Sequence, residues 1–211
     1  MPATISQIRR ALELNDFDAL AAQYKMAPVS RVNTRPEGLE GAPRLGGVLL
    51  LLFCKGESLH VLLTRRCEDL ASHAGQISFP GGRKEAAETL LDTALRETEE
   101  EVGIAAAELE ILGALTPIYI PPSDYEVHPF VAWFNNGRLP EFNPAPWEVA
   151  EIIEVPLAEL LDPAVRIEEL WEIRGQKVLV PFFAVQDHKV WGATAAMLSE
   201  FIERLRVVLH S

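Results

Sequence analysis

The sequence predicts an α+β fold, or a sandwich, in which many strands accompany one central helix and one C-terminal helix. The apolar run Val48–Phe53 follows two glycines and predicts a buried strand. Residues 84–102 have helical periodicity, and Gly103 supplies the left-handed residue that often ends a helix. Residues 193–209 show a second amphipathic pattern, which predicts the C-terminal helix.

The residues before the first strand predict a helical extension joined to the main body by a linker. Residues 4–25 predict one or two amphipathic helices, with a break at Asn15 and Asp16. Residues 27–43 contain three prolines and two glycines, which is typical of a linker or of an ordered arm on the surface. We therefore expect an extension over residues 1–43 that packs on the same domain as the main body, residues 44–211.

The centre and the C-terminal half of the chain predict mostly strands. Lys55-Gly56-Glu57 predicts a turn between the first strand and a second strand, Leu59–Thr64. Residues 66–82 lack a regular pattern and end in a Pro-Gly-Gly turn. The remaining predicted elements are strands near 108–120, 126–134 and 149–155, a short helix Pro156–Leu161, and strands near 166–173 and 177–184.

Composition and charge narrow the class of protein. A chain of 211 residues can bury a substantial core. Its net charge of −12 argues against a general surface for nucleic acids or anionic membranes. The longest apolar run, Val48–Cys54, is far too short to cross a membrane. Two cysteines are too few for a disulfide framework, so we expect a cytoplasmic protein.

Three carboxylates share one side of the central helix. At about 100° per residue, Glu97, Glu100 and Glu101 fall in one arc, separate from the apolar stripe. Like charges at these spacings each destabilise a helix by roughly 0.2–0.5 kcal/mol. A solvated acidic face would account for the charge run alone. Carboxylates on neighbouring turns are also what hard divalent cations bind, and together with the Pro-Gly-Gly turn they indicate a metal site.

The spacing around this helix resembles the Nudix box. That motif is a Gly, five residues, a Glu, seven residues, then Arg-Glu-aliphatic-any-Glu-Glu-any-Gly-aliphatic. Thr98 takes the first aliphatic position and lies on the buried stripe. The matching positions are Gly82, Glu88, Arg96, Glu97, Glu100, Glu101, Gly103 and Ile104. The resemblance implies a Nudix-type α/β/α sandwich with a mixed central sheet, and the hydrolysis of nucleoside diphosphates linked to another group.

Flanking segments are similar to the motif of the coenzyme A diphosphatase branch of that family. They are Leu62–Arg66, Ser72–Gln76, Phe79–Gly82 and Trp191–Ala195. This resemblance implies Mg²⁺- or Mn²⁺-dependent cleavage of coenzyme A or acyl-CoA to 3′,5′-ADP and (acyl-)4′-phosphopantetheine. Cys67 replaces a small residue of the motif, and Ala71 replaces an arginine that would suit a phosphate. ADP-ribose, a nucleotide sugar or a dinucleotide is therefore the alternative substrate, and a non-catalytic nucleotide-sensing module is a third alternative.

The resemblance also implies roles for individual residues. The expected metal ligands are Glu97, Glu100, Glu101 and the carbonyl oxygen of Gly81. Arg96 is expected to hold the carboxylates in place, and Glu88 to interact at the start of the helix. The resemblance implies that the general base is either a glutamate of the box or an acid on a later loop. Glu148, on a loop before a strand, is the best distal candidate, and Glu151 is a weaker one.

Substrate contacts are expected from the segment that precedes the box. Arg65 and Arg66 alternate at a strand end, so only one should face the substrate, and Arg66 is the one that matches the motif. The other expected substrate-binding residues are His73, Gln76 and Phe79. Core or near-core packing is expected for Trp147, Trp171 and Trp191. The expected partner is a small nucleotide, without nucleic acid or membrane, and residues 4–25 either fold back on the chain or pack on a neighbour in a homodimer.

Overall fold

The computed structural model describes residues 3–27, 35–36, 38–68, 75–173 and 175–211, which form five α-helices and eleven strands. The helices are α1 (Ile5–Leu12), α2 (Ala19–Tyr24), α3 (Leu90–Val102), α4 (Leu157–Leu161) and α5 (Gly192–Leu209). The strands are β1 (Arg44–Lys55), β2 (Ser58–Arg66), β3 (Ile77–Ser78), β4 (Gly81–Arg83), β5 (Leu109–Ala114), β6 (Ile118–Ile120), β7 (Tyr125–Phe134), β8 (Val149–Pro156), β9 (Arg166–Ile173), β10 (Gln176–Val185) and β11 (His188–Trp191).

A mixed sheet of eight strands forms the centre of the fold. Its main path runs β3-β2-β1-β7-β5, while β4 pairs with β1, β6 with β7, and β8 with β2. The β1–β7 pair is parallel and the other pairs are antiparallel. A second, three-stranded sheet runs β11-β10-β9. The architecture is the predicted α+β class with a mixed sheet, and the second sheet is an addition to the predicted sandwich.

Both faces of the central sheet are buried. Successive side chains of β1 point to opposite faces and so belong to two different cores. Leu50 and Leu52 belong to a core shared with α1, α5 and the second sheet. Leu49, Leu51 and Phe53 belong to a second core, which includes Ala94 and Val102 of α3. The apolar run of β1 therefore reflects burial on both sides.

Helix α3 has clear signals at both ends. Thr89 and Asp92 form a reciprocal capping box at its start. Gly103 adopts a left-handed conformation at its end, with φ of 77°, and its N–H donates to the Glu99 carbonyl at 3.0 Å. Gly47 on β1 brings the two elements together, because a Cβ there would collide with the Leu90 carbonyl oxygen. The helix is thus held close against the strand that leads to the site.

The N-terminal helices fold back on α5 of the same chain. The fully buried Glu200 carboxylate accepts hydrogen bonds from Gln23 Nε2 at 2.9 Å, from the Thr116 hydroxyl at 3.0 Å and from Arg204 Nε at 2.9 Å. Arg204 also donates to the Leu14 carbonyl at 3.1 Å. One buried carboxylate therefore connects the extension, the β5–β6 connection and the C-terminal helix.

The predicted central helix is too long at its start. Residues 84–102 were expected to be helical, but α3 begins at Leu90. The Lys84 N–H instead donates to the Leu45 carbonyl of β1, which continues the pairing of Gly81–Arg83, and the helix begins only after the Thr89 side chain caps it. In the described ranges, no helix combines the length and the apolar character that a membrane span requires.

The strand predictions also need correction. The predicted strand near 108–120 is two strands, β5 and β6, separated around Pro117, which has no N–H to donate to a ladder. The irregular segment 66–82 contains the short strands β3 and β4, and β11 was not predicted. The predicted strands near 126–134, 149–155, 166–173 and 177–184 are all present within one residue of their predicted ends.

Candidate active site

Arg96 forms ion pairs with three glutamates on and before α3. Its guanidinium bonds Glu88 at 2.6 Å, Glu97 at 2.9 Å and Glu100 at 3.1 Å. The Arg96 hydrogen bond, together with one from the Glu85 backbone, lowers the pKa of Glu88 to about 2. Glu88 therefore contacts Arg96 as well as the region before the helix. It accepts from Nε and Nη2 of Arg96, whereas Glu97 and Glu100 pair with Nη1. The ion pair of Glu88 with Arg96, here called the Glu88–Arg96 clamp, was not predicted, because Glu88 lies in the turn that precedes the helix.

Glu101 is a buried carboxylate beside a second one. Its side chain is only 4% exposed. Burial, together with the negative charge of Glu148, raises the pKa of Glu101 to about 8, against the opposing effect of Arg66. A backbone hydrogen bond from Gly81 also stabilises the carboxylate. Glu101 thus lies where an additional cation would relieve a strong electrostatic penalty.

Glu97 lies against the backbone of Gly82. A Cβ at Gly82 would collide with the Glu97 carboxylate, so glycine is required for this close approach. Burial raises the pKa of Glu97, and the Arg96 hydrogen bond lowers it. The Pro-Gly-Gly turn therefore leaves room for the Glu97 carboxylate to lie against its backbone.

Backbone hydrogen bonds connect the loop before β8 to the end of α3. The Asn143 N–H donates to the Val102 carbonyl and the Ala145 N–H donates to the Glu101 carbonyl, both at 2.9 Å. These bonds satisfy carbonyl groups that the helix end leaves unpaired. On the other side, the Cys67 N–H donates to the Glu148 carbonyl at 2.9 Å. The loop consequently brings Glu148 beside Glu101, although 47 positions separate them in the sequence.

Arg66 lies between these two carboxylates. Its Nη1 is 2.9 Å from Glu148 Oε1 and 3.9 Å from Glu101 Oε1. Its Nε is buried and has no hydrogen-bond partner among the described residues. The described protein groups therefore leave this guanidinium incompletely satisfied.

The donor set suits a hard divalent cation. Within the part of the chain that the structure describes, no three His, Cys, Asp or Glu side chains converge closely enough to hold a metal ion as they stand. Glu97 and Glu148 are instead paired with Arg96 and Arg66. The carboxylates of Glu97, Glu101 and Glu148 nevertheless repel one another, and all offer the oxygen ligands that Mg²⁺ and Mn²⁺ bind.

The structure brings together only some of the predicted site residues. Glu97, Glu101, Arg96, Glu148 and Arg66 form one cluster, with Gly81 beside Glu101 and the more exposed Glu100 at its edge. Arg65 points elsewhere and pairs with Glu151 at 2.8 Å and with Glu68 at 3.4 Å. Gln76 accepts the Arg66 N–H with its backbone carbonyl. His73 and Ala71 lie outside the described residues.

Two predictions about aromatic residues are wrong. Phe79 was expected to contact substrate, but its side chain is buried in the core that contains α5, because it lies between β3 and the glycine turn. Trp147 was expected to pack in or near the core, but its side chain is 73% exposed. The adjacent Glu148 pointed to this loop, but no sequence signal distinguished the exposed tryptophan from Trp171 and Trp191, which pack on each other.

Comparison with known proteins identifies the family. A model of the NUDIX domain matches residues 43–174. A protein of Photorhabdus laumondii, described as the uncharacterized Nudix hydrolase NudL, is 39% identical over 173 residues, which cover 82% of this chain and 90% of that protein. A NudL protein of Pectobacterium atrosepticum is 35% identical over 191 residues, which cover 90% and 93% of the two chains.

Solved structures share the fold. The MutT protein from Methanosarcina mazei aligns with a TM-score of 0.53 at 21% identity, over 82% of this chain and all of that one. A MutT/nudix family protein from Enterococcus faecalis aligns with a TM-score of 0.52 at 18% identity, over all of this chain and 76% of that one. With the domain match, the similarity to NudL proteins over most of both chains, and the box carboxylates on α3, we conclude that the chain belongs to the Nudix hydrolase family.

Proposed function

We propose that the protein is a divalent-metal-dependent pyrophosphohydrolase that cleaves the diphosphate of coenzyme A or acyl-CoA to 3′,5′-ADP and (acyl-)4′-phosphopantetheine. The observation that carries the hydrolytic role is the buried Glu101 carboxylate, which the charges of both Glu97 and Glu148 repel. Such a cluster is costly unless a cation is bound to it. Family membership makes a nucleoside diphosphate derivative the class of substrate.

Mg²⁺ or Mn²⁺ would be held by Glu97 and Glu101, with Glu100 and the Gly81 carbonyl as further ligands. When bound, the metal supplies charge neutralisation for the diphosphate and lowers the pKa of a bound water. Arg96 keeps Glu97 and Glu100 oriented through its bonds to both carboxylates, and Glu88 holds Arg96. These contacts limit the rotamers of ligands that would otherwise repel one another.

Glu148 is our candidate for the general base. Its carboxylate accepts a proton from the attacking water through an oxygen, while Arg66 Nη1 bonds Oε1 and fixes the orientation of the group. Arg66 then provides a guanidinium for the phosphate oxygens, on which negative charge develops. The paired Arg65 and Glu151 lie outside this arrangement, which favours Glu148 over Glu151 as the base.

The choice of coenzyme A depends on the flanking segments that resemble the coenzyme A diphosphatase motif. Arg66 and the Gly81-Gly82 turn are the parts of that motif that border the carboxylate cluster. Ala71 favours the alternative substrates, ADP-ribose, a nucleotide sugar or a dinucleotide, because it removes a side chain that would suit a phosphate.

Product analysis distinguishes these substrates. The protein is incubated with Mg²⁺ or Mn²⁺ and a mixture of coenzyme A, acetyl-CoA, ADP-ribose and diadenosine tetraphosphate, and the products are identified by mass spectrometry. We expect 3′,5′-ADP together with 4′-phosphopantetheine. Cleavage of only the other substrates would overturn the coenzyme A assignment and retain the hydrolase. Nucleotide binding without cleavage of any of them would favour the sensing module.

Gly82→Ala tests the seating of Glu97. The added methyl group collides with the Glu97 carboxylate, so we expect kcat to fall by about 100-fold, as a misplacement of about 1 Å can produce. Gly113→Ala is the matched control, because its methyl group meets the flexible Leu12 side chain at 3.2 Å, away from the site. Steady-state kinetics of both variants check the prediction, and equal kcat values would contradict it.

A further inference from the structure

Trp147 is an exposed indole on the residue that directly precedes Glu148. Among the described residues it is the most exposed large apolar side chain, at 73%. The other three tryptophans are partly buried, and Trp171 and Trp191 pack edge to face with ring centroids 5.2 Å apart. An aromatic ring of this size left in water costs free energy that contact with a ligand would recover.

The backbone around Trp147 is held on both sides. The Ala145 N–H donates to the Glu101 carbonyl, and the Glu148 N–H closes a turn onto the Ala145 carbonyl at 3.0 Å. Cys67 contributes two contacts, from its Sγ to the Pro146 carbonyl at 3.6 Å and from its N–H to the Glu148 carbonyl at 2.9 Å. The turn is thus tied to both α3 and the end of β2, which fixes the backbone position of Trp147 next to Glu148.

We propose that Trp147 is the stacking platform for the aromatic base of the nucleotide substrate. The inference rests on the proposed function, and it identifies the residue that binds the base. Base stacking on an aromatic ring is strong and depends little on base identity, because every base has a π face. A chain with a net charge of −12 gains no general attraction for an anionic nucleotide, so an uncharged contact of this kind is an effective source of affinity.

The position of Trp147 suits a base whose diphosphate lies at the carboxylates. Trp147 directly precedes Glu148, the candidate general base, so the Cα atoms of the two residues are about 3.8 Å apart. Glu148 itself reaches Arg66 at 2.9 Å, and Arg66 lies 3.9 Å from Glu101. A base attached to a diphosphate at this cluster would therefore have an exposed indole one residue away from Glu148 on which to stack.

Trp147→Ala is expected to raise KM for adenine-containing substrates about tenfold and to leave kcat unchanged, because stacking contributes equally to ground-state and transition-state binding. Trp147→Phe should restore most of the affinity, whereas Trp147→Leu should not. Leu170→Ala is the matched control, since it removes another largely exposed apolar side chain, at the second sheet, and should leave KM unchanged.

Calorimetric titration with 3′,5′-ADP and with ADP-ribose supplies a readout that does not need turnover. We expect the affinity of at least one of them to fall about tenfold in Trp147→Ala and to recover in Trp147→Phe. Unchanged KM and Kd in Trp147→Ala would overturn the proposal. So would a light-scattering result in which wild type is a dimer and Trp147→Ala is a monomer, because Trp147 would then serve the dimer interface. If wild type hydrolyses nothing but Trp147→Ala still loses nucleotide binding, the proposed function fails and the stacking role stands.

Discussion

Glu101→Gln is expected to lower kcat by about 100- to 1,000-fold while the protein remains folded. If Glu101 is a metal ligand as proposed, its loss removes several kcal/mol of transition-state stabilisation, and each 1.36 kcal/mol corresponds to a factor of ten in rate. Glutamine has nearly the same shape as glutamate, so the packing around the side chain is retained. Steady-state kinetics with Mg²⁺ and Mn²⁺ measure the loss.

Thermal unfolding of the same variant separates metal binding from folding. The neutral side chain no longer bears the burial penalty on the carboxylate or its repulsion from Glu148. These gains offset the lost attraction to Arg66, so Tm is expected to stay the same or to rise. Glu99→Gln is the matched control, because Glu99 is an exposed acid on the same helix. Wild-type activity in Glu101→Gln would disprove its role as a metal ligand.

Glu200→Ala is expected to lower the free energy of unfolding by about 3–5 kcal/mol, the cost of breaking a buried ion pair by removing one partner. The Glu200 side chain is fully buried, and its loss leaves Arg204, Gln23 and Thr116 without their shared acceptor. Because those partners belong to different segments, the change loosens both the N-terminal extension and the β5–β6 connection.

Urea unfolding of Glu200→Ala against Glu203→Ala checks this prediction. Glu203 lies on the same helix and pairs with Lys25 and Arg206, both at 2.6 Å, but its side chain reaches solvent. We expect its loss to cost about 1 kcal/mol. Equal effects of the two substitutions would show that the buried hydrogen-bond network contributes no more than a surface pair.

The box helix was largely predictable because its signals are local. The arc shared by Glu97, Glu100 and Glu101 follows from helical geometry, and the Gly103 stop follows from the freedom of glycine to adopt positive φ. The start of the helix was misplaced by six residues, because the strand pairing of β4 depends on β1, more than thirty residues earlier in the chain. Local periodicity does not contain such pairing.

The partners of the box helix were predictable only in part. Glu148 was a candidate from its loop context, but its proximity to Arg66 and Glu101 depends on loop hydrogen bonds to the end of α3. Phe79 and Trp147 exchanged their expected environments, since one is in the core and the other is in solvent. Burial of a single aromatic residue in a loop is decided by what packs over it, which short sequence patterns do not specify.

Residue identity and short-range spacing were enough to predict the α+β class and the Nudix box, and to single out its carboxylates as candidate metal ligands. These properties depend on helix and strand periods and on the preferences of glycine and proline, which act over a few residues. Tertiary structure alone revealed the Glu88–Arg96 clamp, the burial that shifts the Glu101 pKa, the Glu200 network and the exposed Trp147. Each depends on contacts between distant segments, and those contacts exist only after the chain has folded.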